Sequence, residues 1–165
     1  MNKLKTYGFF AVAAFQALSL LGMIGFKYSV ALTGTEAVLE SVPVDPRDLL
    51  RGDFVRLNLA IGNLQLNELA GDDSFAEGDV IYVVLEKNQP AWSAVRVSAE
   101  LPDTGQDEAV IKGKVTEING LSARVDYGID SYFVPEDTGH AVERVRYWKV
   151  KLDRHGHAVL EGPAP

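Results

Sequence analysis

Hydrophobic residues fall in two regimes along the chain. From Tyr7 to Phe26 the run YGFFAVAAFQALSLLGMIGF carries no charge, and Gln16 is its most polar side chain. A helix of that length rises about 30 Å, the thickness of a bilayer core, and it is apolar on every face rather than along one stripe. Beyond residue 35 the pattern shortens to a period of two. Ala37 to Val42 is apolar. Val55, Leu57 and Leu59 alternate with Arg56 and Asn58, which predicts a strand over Phe54–Ile61. Val80 to Leu85 is a continuous apolar run. Val95, Val97, Ala99 and Leu101 alternate with Arg96, Ser98 and Glu100. Val110–Ile118 and Leu121–Tyr127 flank Asn119-Gly120, a strong hairpin signal. Tyr132 to Val134, then Trp148, Val150 and Leu152, then His157 to Leu160 read as the last strands, with one or two helical turns over Thr138–Arg146 capped by Asp137 or Thr138.

The fold class that follows is mainly β: an N-terminal transmembrane helix, then a small antiparallel β-barrel or sandwich with one short helix. Residues 1–30 form a cytoplasmic tip and anchor, and residues 31–165 form one extracytoplasmic β-rich domain. Lys3 and Lys5 precede the apolar run and Lys27 follows it. With the amino terminus, the two leading lysines favour an N-terminus retained in the cytoplasm and a domain outside it. That places the chain in the cytoplasmic (inner) membrane with a periplasmic or extracytoplasmic domain. Ser29-Val30-Ala31 would suit signal-peptide cleavage, but a cleavable apolar region is usually about 7–15 residues long, and the longer run here favours an uncleaved anchor. Ser29 to Thr35 is read as a short extended linker, which keeps the domain close to the membrane.

Composition narrows the function. The 165 residues include no cysteine, which removes disulfides, thiolate metal sites and cysteine nucleophiles. Setting Lys3, Lys5 and Lys27 aside from 16 basic residues leaves 13 against 23 acidic ones, a formal charge of −10 on the exported part. Such a domain repels anionic headgroups and does not suit nucleic acid. No Gly-rich phosphate loop, nucleophile elbow or HExxH helix is present, and no cofactor is expected. His155 and His157 straddle Gly156 and share a strand face. Without an evident third ligand they read as a solvated turn rather than a metal site.

The densest polar constellation is PVDPRDLLRGDFVRL, Pro43 to Leu57. Two prolines fix the backbone around Asp45, and Asp45, Arg47, Asp48, Arg51, Asp53 and Arg56 alternate in sign. One reading is a turn clipped by arginine–carboxylate pairs; another is a recognition surface. A second segment, YGIDSYFVPE from Tyr127 to Glu136, sets three aromatics before a proline-locked turn. Both segments join strand edges to proline-locked loops. They are expected to meet in one patch, with Phe54, Tyr132 and Phe133 filling the space beneath and Arg47 or Arg51 facing Glu136.

On these residues the chain resembles the GDYXXLXY family of membrane-anchored bacterial proteins of unknown function. The matching stretch is Gly52-Asp53-Phe54-Val55-Arg56-Leu57-Asn58-Leu59, preceded by Pro43 to Asp48, together with Tyr127 to Glu136 and Glu143. Phe54 and Leu59 stand where the name-giving pattern has tyrosines, so neither phenol hydroxyl is needed here. The resemblance implies a polytopic membrane protein as partner and brings no known activity. A partial similarity to the β-domain of type I signal peptidases lacks the nucleophile, since Val44 occupies that position and Ser41 lies three residues earlier. The leading reading is a non-enzymatic accessory or interaction protein beside a membrane partner. Its candidate interaction residues are Asp45, Arg47, Arg51, Gly52, Asp53, Phe54, Tyr132, Phe133, Pro135 and Glu136. The alternative is a cell-envelope enzyme, a hydrolase or signal-peptidase-like protease, using the carboxylates of the same motifs.

Overall fold

The structure, a computed structural model, describes residues 3–42, 54–133 and 145–164. Helix α1 spans Lys3–Thr33, and its stretch Tyr7–Thr33 is long and apolar enough to cross a membrane. The most apolar part of that stretch is not buried against the rest of the protein. Phe9, Leu21 and Ile24 are each about two-thirds exposed or more, at 70%, 65% and 65%. Contiguous apolar surface of this kind is suited to a bilayer.

Ser29 to Thr33, expected as an extended linker, instead form the last turn of the helix. Thr33 donates its hydroxyl to the Ser29 carbonyl at 2.8 Å, and the Gly34 amide bonds the Val30 carbonyl at 2.9 Å. The chain then enters strand β1 (Thr35–Glu40) directly. A Cβ at Gly34 would lie 2.6 Å from the Val30 carbonyl oxygen and 3.0 Å from that of Leu152, so only glycine allows so abrupt an exit. Val30 is 2% exposed, sealed at this junction. The tether is therefore a packed joint.

The remaining strands follow in order: β2 (Phe54–Arg56), β3 (Asn63–Gln65), β4 (Ala70–Gly71), β5 (Val80–Glu86), β6 (Ser93–Ser98), β7 (Glu108–Asn119), β8 (Ser122–Asp126), β9 (Ser131–Phe133), β10 (Tyr147–Leu152) and β11 (Ala158–Pro163). Six of them make a sheet in the order β3-β8-β7-β5-β6-β4, antiparallel except where β4 meets β6. A second sheet runs β1-β10-β11, and β2 pairs with β9. Bulges at Val84/Leu85, Val115/Glu117 and Lys149/Val150 bend the strands. The result is a curled half-barrel, mainly β with one apolar helix. Backbone hydrogen bonds from Trp92 to Val38 and from Lys112 to Gly156, both 2.8 Å, stitch the two larger sheets together.

The alternation in the sequence decides what the core contains. In β10, Trp148, Val150 and Leu152 are buried while their neighbours are half-exposed. They meet Leu39 and Ala37 of β1 and Ile81, Val83, Leu85 and Ile111 of the large sheet in one core. The Asn119-Gly120 turn joins β7 to β8, with Gly120 at φ 63°, the left-handed region a tight hairpin requires.

Two strands stop earlier than the pattern predicts. The run from Phe54 leaves its ladder after Arg56, although the burial of Leu57, Leu59 and Ile61 continues the alternation. The cause is a change of partner. Leu57 donates to the Asp130 carbonyl at 2.6 Å, then Leu59 bridges Ser41 and Asn58 accepts from Val42 at 2.8 Å. A 3₁₀ turn at Ala60–Gly62 follows. Strand β6 ends at Ser98 because the Asp72 carboxylate takes the Ala99 amide at 2.8 Å, and Leu101 points outward, 45% exposed. Most of the helical turns expected over Thr138–Arg146 lie outside the described residues.

Candidate functional site

The two sequence motifs meet as paired strands. Phe54 is the register partner of Phe133, Val55 of Tyr132, and Arg56 of Ser131. The Leu57–Asp130 hydrogen bond extends the contact by one step. Tyr132 lies edge-on to Trp148, ring centroids 5.0 Å apart at 60°, so it is fixed on the largest fully buried side chain of the core. Asp45, Arg47, Arg51, Gly52, Asp53, Pro135 and Glu136 lie outside the described residues, as do the proposed ion pair to Glu136 and any cleft joining Asp53, Arg51 and Glu136.

Beside this pairing is a cavity of about 500 Å³ lined by both segments. Leu57, Asn58 and Leu59 form one wall, and Tyr127 and Asp130 belong to the other. The rim is polar. The Arg124 guanidinium donates to the Asn63 side chain at 3.3 Å and stands 3.8 Å from Glu117. The Asp126 carboxylate accepts the Gly128 amide at 2.7 Å, which turns the chain from β8 toward Asp130. Tyr127 donates its hydroxyl to the Ile61 carbonyl at 2.8 Å, and burial pushes its phenol far above the usual tyrosine range, so it remains a neutral donor. This hydrogen bond ties the 3₁₀ turn of the first motif to the second motif. The groove offers apolar walls with an arginine, two carboxylates and amide side chains, a set suited to binding polypeptide. Sequence reasoning missed Asn63, Arg124 and Asp126 because each looks like an ordinary solvated strand or turn residue until the sheet curls.

Ser41, the hydroxyl three residues before the position of the signal-peptidase nucleophile, is 8% exposed and bridged to Leu59 at the end of β1. Lys112 and Lys114 sit on β7 in the other sheet, and the Lys112 ammonium lies over the Tyr82 ring at 5.8 Å.

A family model for the GDYXXLXY protein matches residues 16–162. The chain belongs to the GDYXXLXY protein family. The match takes in both motif segments, the groove between them and the second half of α1. No curated protein and no solved structure matches the chain. Of the two family tyrosine positions that this chain replaces, Leu59 is 5% exposed and contributes packing alone.

A separate cluster occupies the β10–β11 turn. Partial burial works against the Asp153 charge. A hydrogen bond from the His157 ring and the backbone amides of His157 and His155 outweigh it, holding the carboxyl below the usual carboxylate range. The third polar group that the sequence reading did not find beside His155 and His157 is this aspartate.

Proposed function

We propose that this GDYXXLXY-family protein is a single-pass protein of the cytoplasmic membrane, with residues 1–30 as cytoplasmic tip and anchor and residues 31–165 outside. We further propose that its half-barrel is a non-enzymatic binding module for a polytopic membrane protein. One observation carries the reading: the helix enters β1 through Gly34 with Val30 sealed at the joint, so the domain has no tether on which to swing away. What it binds must then lie at the membrane surface. The acidic surface makes lipid headgroups poor targets, and the groove between the motifs suits a polypeptide loop.

A photoreactive amino acid placed at Asn58 or Asn63 in native membranes tests this. Crosslinks to a multi-spanning membrane protein, absent when the same residue is placed at exposed Lys87, support the reading. Crosslinks only to soluble proteins, or equal yields at all three positions, contradict it.

A further inference from the structure

The β10–β11 turn carries a second kind of chemistry. Asp153, His155 and His157 each bring a ligand-type atom within 4.8 Å of the other two. The Asp153 side chain organises the turn. Its Oδ1 accepts the backbone amides of His155 at 2.8 Å and His157 at 2.9 Å. Its Oδ2 is thereby turned toward the rings, 2.9 Å from His157 Nδ1 and 3.9 Å from His155 Nδ1. Those distances bracket the edge of a tetrahedral zinc polyhedron, about 3.3 Å for bonds of about 2.0–2.1 Å.

The turn is also held from outside. Gly156 sits at φ 85°, donates to the Asp153 carbonyl at 3.1 Å, and accepts the Lys112 amide at 2.8 Å. A Cβ there would lie 2.8 Å from the Lys112 nitrogen, so the backbone of β7 presses against the turn. The donors are thus mounted on a braced frame, with the second carboxylate oxygen already committed to orienting the first. Access is open. His155 is 55% exposed, and with Asp153 and Arg154 it borders a cavity of about 460 Å³ whose other wall includes Ser29, Val30 and Thr33 at the end of α1.

We propose that Asp153, His155 and His157 form a binding site for a first-row divalent metal ion, zinc(II) foremost. Two imidazoles and one carboxylate are a donor set that suits zinc and its neighbours and does not suit magnesium or calcium. Three protein donors leave a fourth position for water or for a group brought by whatever sits against the end of α1. On binding, the ion replaces the proton between His157 Nδ1 and Asp153 Oδ2, and that proton leaves to solvent. The site was hidden from sequence reasoning because His155 and His157 were placed on one strand face, while the aspartate that joins them lies back across the turn.

The test uses the full chain in mild detergent, without a polyhistidine tag and stripped by chelator. Cobalt(II) is titrated first and then displaced by zinc(II). One equivalent of cobalt should give visible d–d absorption that zinc abolishes. His155→Ala, which removes an exposed ring and leaves the backbone amide in place, should weaken zinc binding at least about tenfold. It should also melt like the parent without metal. Asp153→Asn, which keeps an oxygen for the two amides, should also lose the cobalt bands. Absence of those bands in the parent would overturn the proposal. So would unchanged affinity in the Asp153→Asn/His155→Ala double variant, which would put the ion elsewhere on the chain.

Discussion

Gly113 lies in the middle of β7, between Lys112 and Lys114, where nothing in the local sequence asks for a glycine. The structure gives the reason. A Cβ built there lies 2.9 Å from two ring atoms of Tyr127 and closer still to the Val125 side chain. Gly113→Ala must displace the Val125 side chain, the nearer neighbour, and the Tyr127 ring as well. Overpacking of this kind costs about 1–3 kcal/mol. If the ring moves enough to part its hydroxyl from the Ile61 carbonyl, now 2.8 Å away, about 1 kcal/mol more is lost. For a domain of this size each kcal/mol corresponds to about 4 °C in Tm, so the expected fall is about 4–16 °C. Near-ultraviolet circular dichroism of the full chain in detergent reads it, because Trp148 is wholly buried in the core. The same substitution in a Tyr127→Ala background should lose the share of the cost due to the ring and its hydrogen bond and keep the tighter Val125 clash. A Tm within about 1 °C of the parent, or an equal cost in both backgrounds, would refute the packing argument.

Two ionisable side chains give pH-dependent outcomes, one on β1 and one after β8. Glu36 is bonded by Lys151 at 3.3 Å and lies 3.5 Å from Lys149; the Lys151 hydrogen bond and the two ammonium charges hold its carboxyl below the ordinary value of 4.5. Its contribution is present above the unfolded value and lost as pH falls through the folded one, so Glu36→Gln should lower Tm slightly at neutral pH and not at all in strong acid; a gap that persists there contradicts the pairing. Tyr127 shifts the other way: its contribution is intact below the unfolded tyrosine range near pH 10 and is lost only as pH rises through the folded value. Folded parent and Tyr127→Phe should therefore show equal tyrosinate absorbance at about pH 11 and differ by one tyrosine after unfolding; an extra tyrosinate in the folded parent refutes its enclosure.

Local signals were legible and relational ones were not. Asn119-Gly120 specifies its turn by backbone conformation alone, and the β7–β8 hairpin is where the sequence puts it. Trp148, Val150 and Leu152 alternate cleanly because one face of β10 is core and the other is not. The apolar helix shows itself by length and lack of charge. By contrast, the strand read over Phe54–Ile61 divides because its neighbours change from β9 to the end of β1, and no property of its own residues records that exchange. The Gly34 joint depends on Leu152, more than a hundred positions away. The groove depends on Asn63 facing Arg124 across β3 and β8. The two motif segments were recognisable and were expected to meet in one patch; that Phe54–Arg56 and Ser131–Phe133 meet as paired strands is not written in either segment alone.

The absence of cysteine from the whole chain permits a direct test of the membrane arrangement. Single cysteines are placed at Lys3, before the apolar stretch, and at Lys87, on the exposed β5–β6 connection, and intact cells are treated with a membrane-impermeant maleimide. Lys87→Cys should label in intact cells, Lys3→Cys only after lysis, and both variants should stay in the membrane fraction through an alkaline wash. Labelling of Lys3→Cys but not Lys87→Cys in intact cells, or release of the protein by the wash, would contradict it.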